Sequence, residues 1–172
     1  MLVKFLPVVL IPLFWRRVRL RDVLVSLSLA GALYVPFTSF SAGLPLGSLR
    51  VYAEQWRFNG PFFVILEPLF GIPFVLFLVV AGGLTLATYA RNRLTVSDPA
   101  AWAWPIAVTL LLMPAIYPWY LVWLTPFLTS PVTWPLVAWT LTAPMTYVVW
   151  GAELAGDGWV LPGWVQPLEY GV

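Results

Sequence analysis

The chain has 172 residues, of which 61% are hydrophobic and 9% charged, with a mean hydropathy of +0.88 and a net charge of +2. Soluble domains carry about a quarter charged residues, so these charges are too few to cover a water-facing surface, and the composition points to an integral membrane protein. The absence of cysteine and histidine removes disulfides, thiol nucleophiles and imidazole ligands, so neither a metal site nor a cofactor is expected. Nine basic residues clustered at helix ends do not make a phosphate-tracking face, which argues against nucleic acid as a partner despite a pI near 9.2.

Seventeen prolines and twelve glycines are tolerated in membrane helices, where neighbouring helices and waters satisfy the freed backbone groups. Met1 to Trp15 is apolar apart from Lys4 and runs into Arg16, Arg17, Arg19 and Arg21. At roughly 22 Å it is short of the ~30 Å hydrocarbon core and reads as the end of a helix whose beginning is absent. A signal peptide would carry its charges before the apolar run rather than after it. Asp22 then caps a second apolar stretch, Val23 to Phe40.

Residues 41–60 are the most polar part of the chain and read as an ordered interfacial loop. Pro61 to Phe70 is apolar but too short to span, and its Glu67-Pro68 step fits an interfacial or re-entrant helix. Ile72 to Ala90 is long enough to cross, with Gly82-Gly83 permitting close helix contact. Ser97-Asp98-Pro99 has a capping side chain followed by proline at the first helical position. It opens the apolar run Ala100 to Ile116, which Pro114 and Pro118 interrupt. Trp119 to Thr129 is a short apolar segment, and Val132 to Trp150 gives a last span. A tail, 151–172, is rich in Gly, Pro and Trp. The expected fold is a single all-α polytopic transmembrane bundle of about five to six apolar helices, plus a short interfacial helix in the outer loop.

Alternating crossings put six of the nine basic residues, Arg16, Arg17, Arg19, Arg21, Arg91 and Arg93, on one side. The excess of Lys and Arg makes that side cytoplasmic, so residues 16–22 and 91–99 face the cytoplasm of a cell inner membrane. The 41–60 loop, the Tyr117 to Tyr120 turn and the tail then share the outer face.

Three features suggest chemistry. Tyr52, Glu54, Trp56, Arg57 and Asn59 bring a carboxylate, a guanidinium, a carboxamide and aromatic faces together within eight residues. Aromatic faces stack on sugar rings and Arg forks to phosphate oxygens, while the same residues also suit an interfacial belt in which Glu54 pairs Arg57. Tyr117-Pro118-Trp119-Tyr120 is a proline-broken aromatic turn, a feature that marks either a cavity or a belt. Lys4 is an ionisable residue in an apolar segment, which points to function or to snorkelling at a helix end. No serine–histidine pair, close outer carboxylate pair or glycine-rich phosphate loop is present.

Lys4-Phe5-Leu6-Pro7 through Leu13 with Arg16-Arg17, then Tyr52 to Asn59, then Tyr117 to Leu124, in this order, resemble the later half of GT-C-type glycosyltransferases, specifically the mannosyltransferase-like family 87. Leu168-Glu169-Tyr170-Gly171 resembles a family feature near the C-terminus. The resemblance implies a multi-pass enzyme that moves a sugar from a polyprenyl-phosphate donor to a lipid or glycan acceptor outside the cytoplasm. The family's catalytic acidic loop has no counterpart in this chain, so no catalytic residue is assigned, and Tyr117 stands where the family often has histidine. By analogy Lys4, Glu54, Trp56, Arg57, Asn59, Tyr117, Trp119 and Tyr120 belong to the substrate cavity, with Lys4 near the lipid phosphate. The competing expectation is a non-enzymatic membrane protein, either a small transporter or an accessory subunit.

Overall fold

The computed structural model describes residues 2–38, 55–156 and 158–171, with side chains described from Leu6 to Tyr34 and Val35 in the first of these stretches. Among the described residues the chain is all-helical, with one isolated backbone bridge and no strand. A 3₁₀-helix over Leu2–Leu10 leads into α1 (Ile11–Phe14), followed by α2 (Leu20–Thr38), α3 (Pro61–Phe70), α4 (Ile72–Arg93) and α5 (Pro99–Leu111). Short 3₁₀ turns at Pro118–Trp123 and Thr125–Phe127 follow. A jointed rod then combines a 3₁₀ turn Pro131–Thr133, α6 (Trp134–Thr142), a 3₁₀ turn Ala143–Tyr147 and α7 (Val148–Ala155). The last element is α8 (Val165–Tyr170).

The antiparallel pair α4 and α5 is the centre of the structure. Val75, Val79, Gly83, Ala87 and Ala90 recur at spacings of three and four and form the buried stripe of α4. Most of these residues are small, so α5 lies close against the stripe, and α5 itself buries Ala101, Ala103, Ile106, Ala107 and Leu110. The N-terminal segment seals the pair with Leu6, Val9, Leu10 and Leu13. Asp98 caps α5 by accepting from the Ala100 amide at 2.9 Å, with Pro99 at the first helical position, as its sequence implies.

One helix among the described residues, α4, is long and apolar enough to cross a membrane, with 22 residues and a mean hydropathy of 2.0. At 1.5 Å per residue it reaches about 33 Å. The described side chains of α2, from Leu20 to Val35, are exposed on every side although Val23, Leu24, Val25, Leu27, Leu29 and Leu33 are apolar.

Several boundaries differ from the sequence expectation. Asp22 lies two residues inside α2, in its first turn, instead of preceding it. The run from Ala100 stays α-helical only to Leu111, because Pro114 lacks an amide donor and disfavours helix in the residue before it. The final span is jointed where Pro135 and Pro144 interrupt the hydrogen-bond ladder. The N-terminal segment is 3₁₀ through Leu10 with Pro7 inside it.

Gly83 marks the close approach of α4 to the N-terminal segment and α5: a Cβ there would come within 2.8 Å of the Val9 Cβ and would also meet the Thr109 hydroxyl. Gly83→Val should lower stability in detergent by about 1–3 kcal/mol, whereas Gly31→Ala, with nothing within 4 Å, should be neutral or slightly stabilising. Thermal unfolding of the two variants checks the contrast.

Candidate functional site

Two ends of the central pair are chemically distinct. At one end the Arg91 Nη1 donates to the carbonyls of Pro12 (2.7 Å) and Trp15 (2.6 Å), which brings the 16–21 arginine cluster beside the end of α4. At the other end, three segments distant in sequence converge.

The convergence starts from backbone chemistry. After α5 stops, the Pro114 carbonyl accepts from the Phe58 amide (3.1 Å) and the Ile116 amide donates to the Phe58 carbonyl (2.7 Å). Asn59 then takes a left-handed conformation at φ +53°, which asparagine tolerates better than most residues. This turns the chain into α3. Gly60 has no room for a side chain, since a Cβ would lie 2.5 Å from the Met113 carbonyl oxygen.

Side chains build on that pairing. Tyr117 stacks on Phe58 (4.6 Å, 13°) and on Trp119 (4.5 Å, 6°), with Trp56 and Tyr120 edge-on at 6.1 and 5.6 Å. Arg57 forks onto Glu67 of α3 through Nε (2.9 Å) and Nη2 (2.7 Å), while Nη1 donates to the Trp56 carbonyl. Its guanidinium sits 4.7 Å from the Phe63 ring centroid, so planarity, charge and aromatic contact all fix its position. Asn59 is buried and donates from Nδ2 to Glu169 Oε2 (2.8 Å) and to the Tyr170 hydroxyl (3.1 Å). The same Glu169 accepts from Trp139 Nε1 at 2.9 Å, and Tyr170 returns a bond to the Asn59 carbonyl. Between the 57–59 loop and the tail lies a cleft of about 220 Å³, lined among others by Arg57, Asn59, Val64, Trp159 and Gln166.

Of the expected site residues, Trp56, Arg57, Asn59, Tyr117, Trp119 and Tyr120 are gathered at this end. Asn59 spends its donors on Glu169 and Tyr170, and its Oδ1 has no hydrogen-bond partner among the described residues. Glu54 falls outside the described residues, as does the Lys4 side chain, whose backbone belongs to the first 3₁₀-helix. Nothing in the local sequence marks Glu67, Trp139 or Trp159 as site residues. Glu67 was visible only as a carboxylate interrupting an apolar run, and Trp139 sits in a span with nothing local to mark it. Neither a family model, a curated protein nor a solved structure matches the chain.

The electrostatics divide the two carboxylates. The hydrogen bond from Arg57 holds Glu67 below its ordinary value of 4.5. Burial pushes Glu169 above 4.5, against the pull of its bonds from Asn59, Trp139 and Tyr170. Burial also raises the Tyr117 phenol, followed by its neighbour Tyr120, so Tyr117 stays a neutral donor.

The two carboxylates therefore give opposite pH signatures. The Arg57–Glu67 contribution is present above 4.5 and lost as pH falls through the lowered folded value, and Glu67→Gln should remove that acid sensitivity. Because both side chains are partly exposed, the loss should be about 1 kcal/mol or less. Ionising Glu169 costs stability as pH rises from 4.5 through its raised value, a slope that Glu169→Gln should flatten. Glu169→Ala should cost about 1–3 kcal/mol because it strands the Trp139 and Asn59 donors. Unfolding midpoints measured across pH 3–8 distinguish these outcomes.

Proposed function

We propose that the chain is the C-terminal part of a multi-pass membrane glycosyltransferase of the GT-C type, binding a polyprenyl-phosphate-linked sugar and its lipid or glycan acceptor. In this reading α2, α4, α5 and the jointed 131–155 rod cross the bilayer together with the N-terminal segment. The arginine end is cytoplasmic by the excess of basic residues, and the convergent end faces outward.

The observation that carries the reading is the pairing of the Trp56–Asn59 loop with the Tyr117–Tyr120 turn, joined to Glu169-Tyr170 of the tail through Asn59. Parts of three of the four stretches on which the family resemblance rests thus form one cluster although some 60 and 110 residues separate them, while the first, Lys4 to Arg17, lies outside it. The chemistry suits the ligand: Trp56 and Trp119 are aromatic side chains about half exposed at the edge of the cluster, where a sugar ring can pack, and Arg57 supplies a fork that a phosphate could take by competing with Glu67. A cation beside the lipid phosphate stabilises the charge that develops as it leaves. The chain supplies binding groups in this scheme, and the proton-accepting residue is not assigned among them.

Arg57→Ala should weaken binding of a polyprenyl-phosphate mannose by the chain in nanodiscs about tenfold or more, with protein abundance within about twofold of the unchanged chain. Trp119→Ala should behave similarly. Equal losses of binding and abundance would place both residues in an interfacial belt. Solute movement across liposomes without any lipid-sugar donor would favour a transporter.

A further inference from the structure

The arginine end carries positive charge that the fold does not neutralise. Arg16, Arg17, Arg19, Arg21 and Arg93 are exposed, and none forms an ion pair or side-chain hydrogen bond among the described residues. Of the nearby acids, Asp98 is committed to capping α5 and Asp22 sits in the first turn of α2. Arg16 adopts a left-handed conformation at φ +63°, within a turn closed by the bond from the Arg17 amide to the Phe14 carbonyl at 2.9 Å. The sixth arginine, Arg91, fixes that turn to α4 through the Pro12 and Trp15 carbonyls.

Two adjoining clefts open at the same end, the first of them lined by Arg91 and by Trp15, the residue that precedes the 16–21 cluster. One, of about 300 Å³, lies between α1 and α4 and is lined by Ile11, Pro12, Trp15, Thr88, Arg91 and Asn92. The other, of about 410 Å³, runs along α4 past Leu84, Thr85 and Tyr89, and it shares Thr88 and Asn92 with the first. Leu84, Thr88 and Asn92 follow one another at four-residue spacing, so the helix face grades from apolar to polar toward the arginines. Trp15 and Tyr89, 64% and 60% exposed, are the residue types that settle at headgroup depth.

We propose that this end binds an acidic phospholipid, with its phosphate held by Arg16, Arg17 and Arg93 and its acyl chains lying along the paired clefts. Charge complementarity selects the anionic headgroup, since basic pockets beside membrane helices bind such headgroups. The apolar grooves leading away from the charges select a lipid over a soluble anion. The site lies opposite the candidate sugar-binding end and is independent of the glycosyltransferase reading.

The test is native mass spectrometry of the full chain in neutral detergent, titrated with phosphatidylglycerol or with phosphatidylcholine of the same acyl chains. Phosphatidylglycerol should bind about tenfold more tightly or better, and the difference should shrink in high salt. In the R16Q/R17Q variant the two lipids should come within about twofold of each other, with the unfolding temperature in phosphatidylcholine unchanged. Equal affinities for the two lipids in the unchanged chain would overturn the proposal even if the variant failed to fold. So would an undiminished preference in a folded variant, or displacement of phosphatidylglycerol by inorganic phosphate at the same concentration.

Discussion

Two backbone hydrogen bonds, between Phe58 and the Pro114–Ile116 segment, determine how one end of this molecule is organised. They exist because α5 cannot continue: proline at 114 has no amide to offer, and the carbonyls and amides released beyond Leu111 need partners in apolar surroundings. The 55–60 loop supplies them. Once Phe58 is paired, Tyr117 comes into register to stack on it, and Gly60 must pass against the Met113 and Pro114 carbonyls without a side chain.

Asn59 extends that arrangement to the tail. A buried carboxamide donating to a partly buried carboxylate is favourable only if the carboxylate has further donors, and Trp139 provides one from the jointed rod. Three parts of the chain are thereby coupled through Glu169, whose ionisation is opposed by burial. Arg57 is held differently, by charge and an aromatic face at a partly exposed position, where a competing anion can reach it more readily than it could reach Glu169.

Much of this was legible in the sequence wherever the signal is local. The Asp98-Pro99 helix start, the Pro61–Phe70 helix and the small-residue contact at Gly82-Gly83 each follow from residues within one or two turns. The placement of the loop, turn and tail at one end follows from counting alternations between apolar runs. What could not be read is what depends on tertiary partners. Proximity in sequence pairs Arg57 with Glu54, whereas the described partner, Glu67, lies ten residues on in the next helix. The joints in the 131–155 rod were similarly obscured, because membrane-like composition makes proline a weak breaker in advance and only the packing decides how each one is absorbed.

The most direct measurement is photolabelling of the membrane-embedded chain with a diazirine-bearing polyprenyl-phosphate sugar, followed by peptide mapping. Labels concentrated together in residues 56–64, 117–123 and 159–166, and competed away by unmodified donor, are the expected result. Labels spread along the exposed faces of α2 and α4 in the manner of bulk lipid, without competition by donor, would contradict a ligand site at the convergent end.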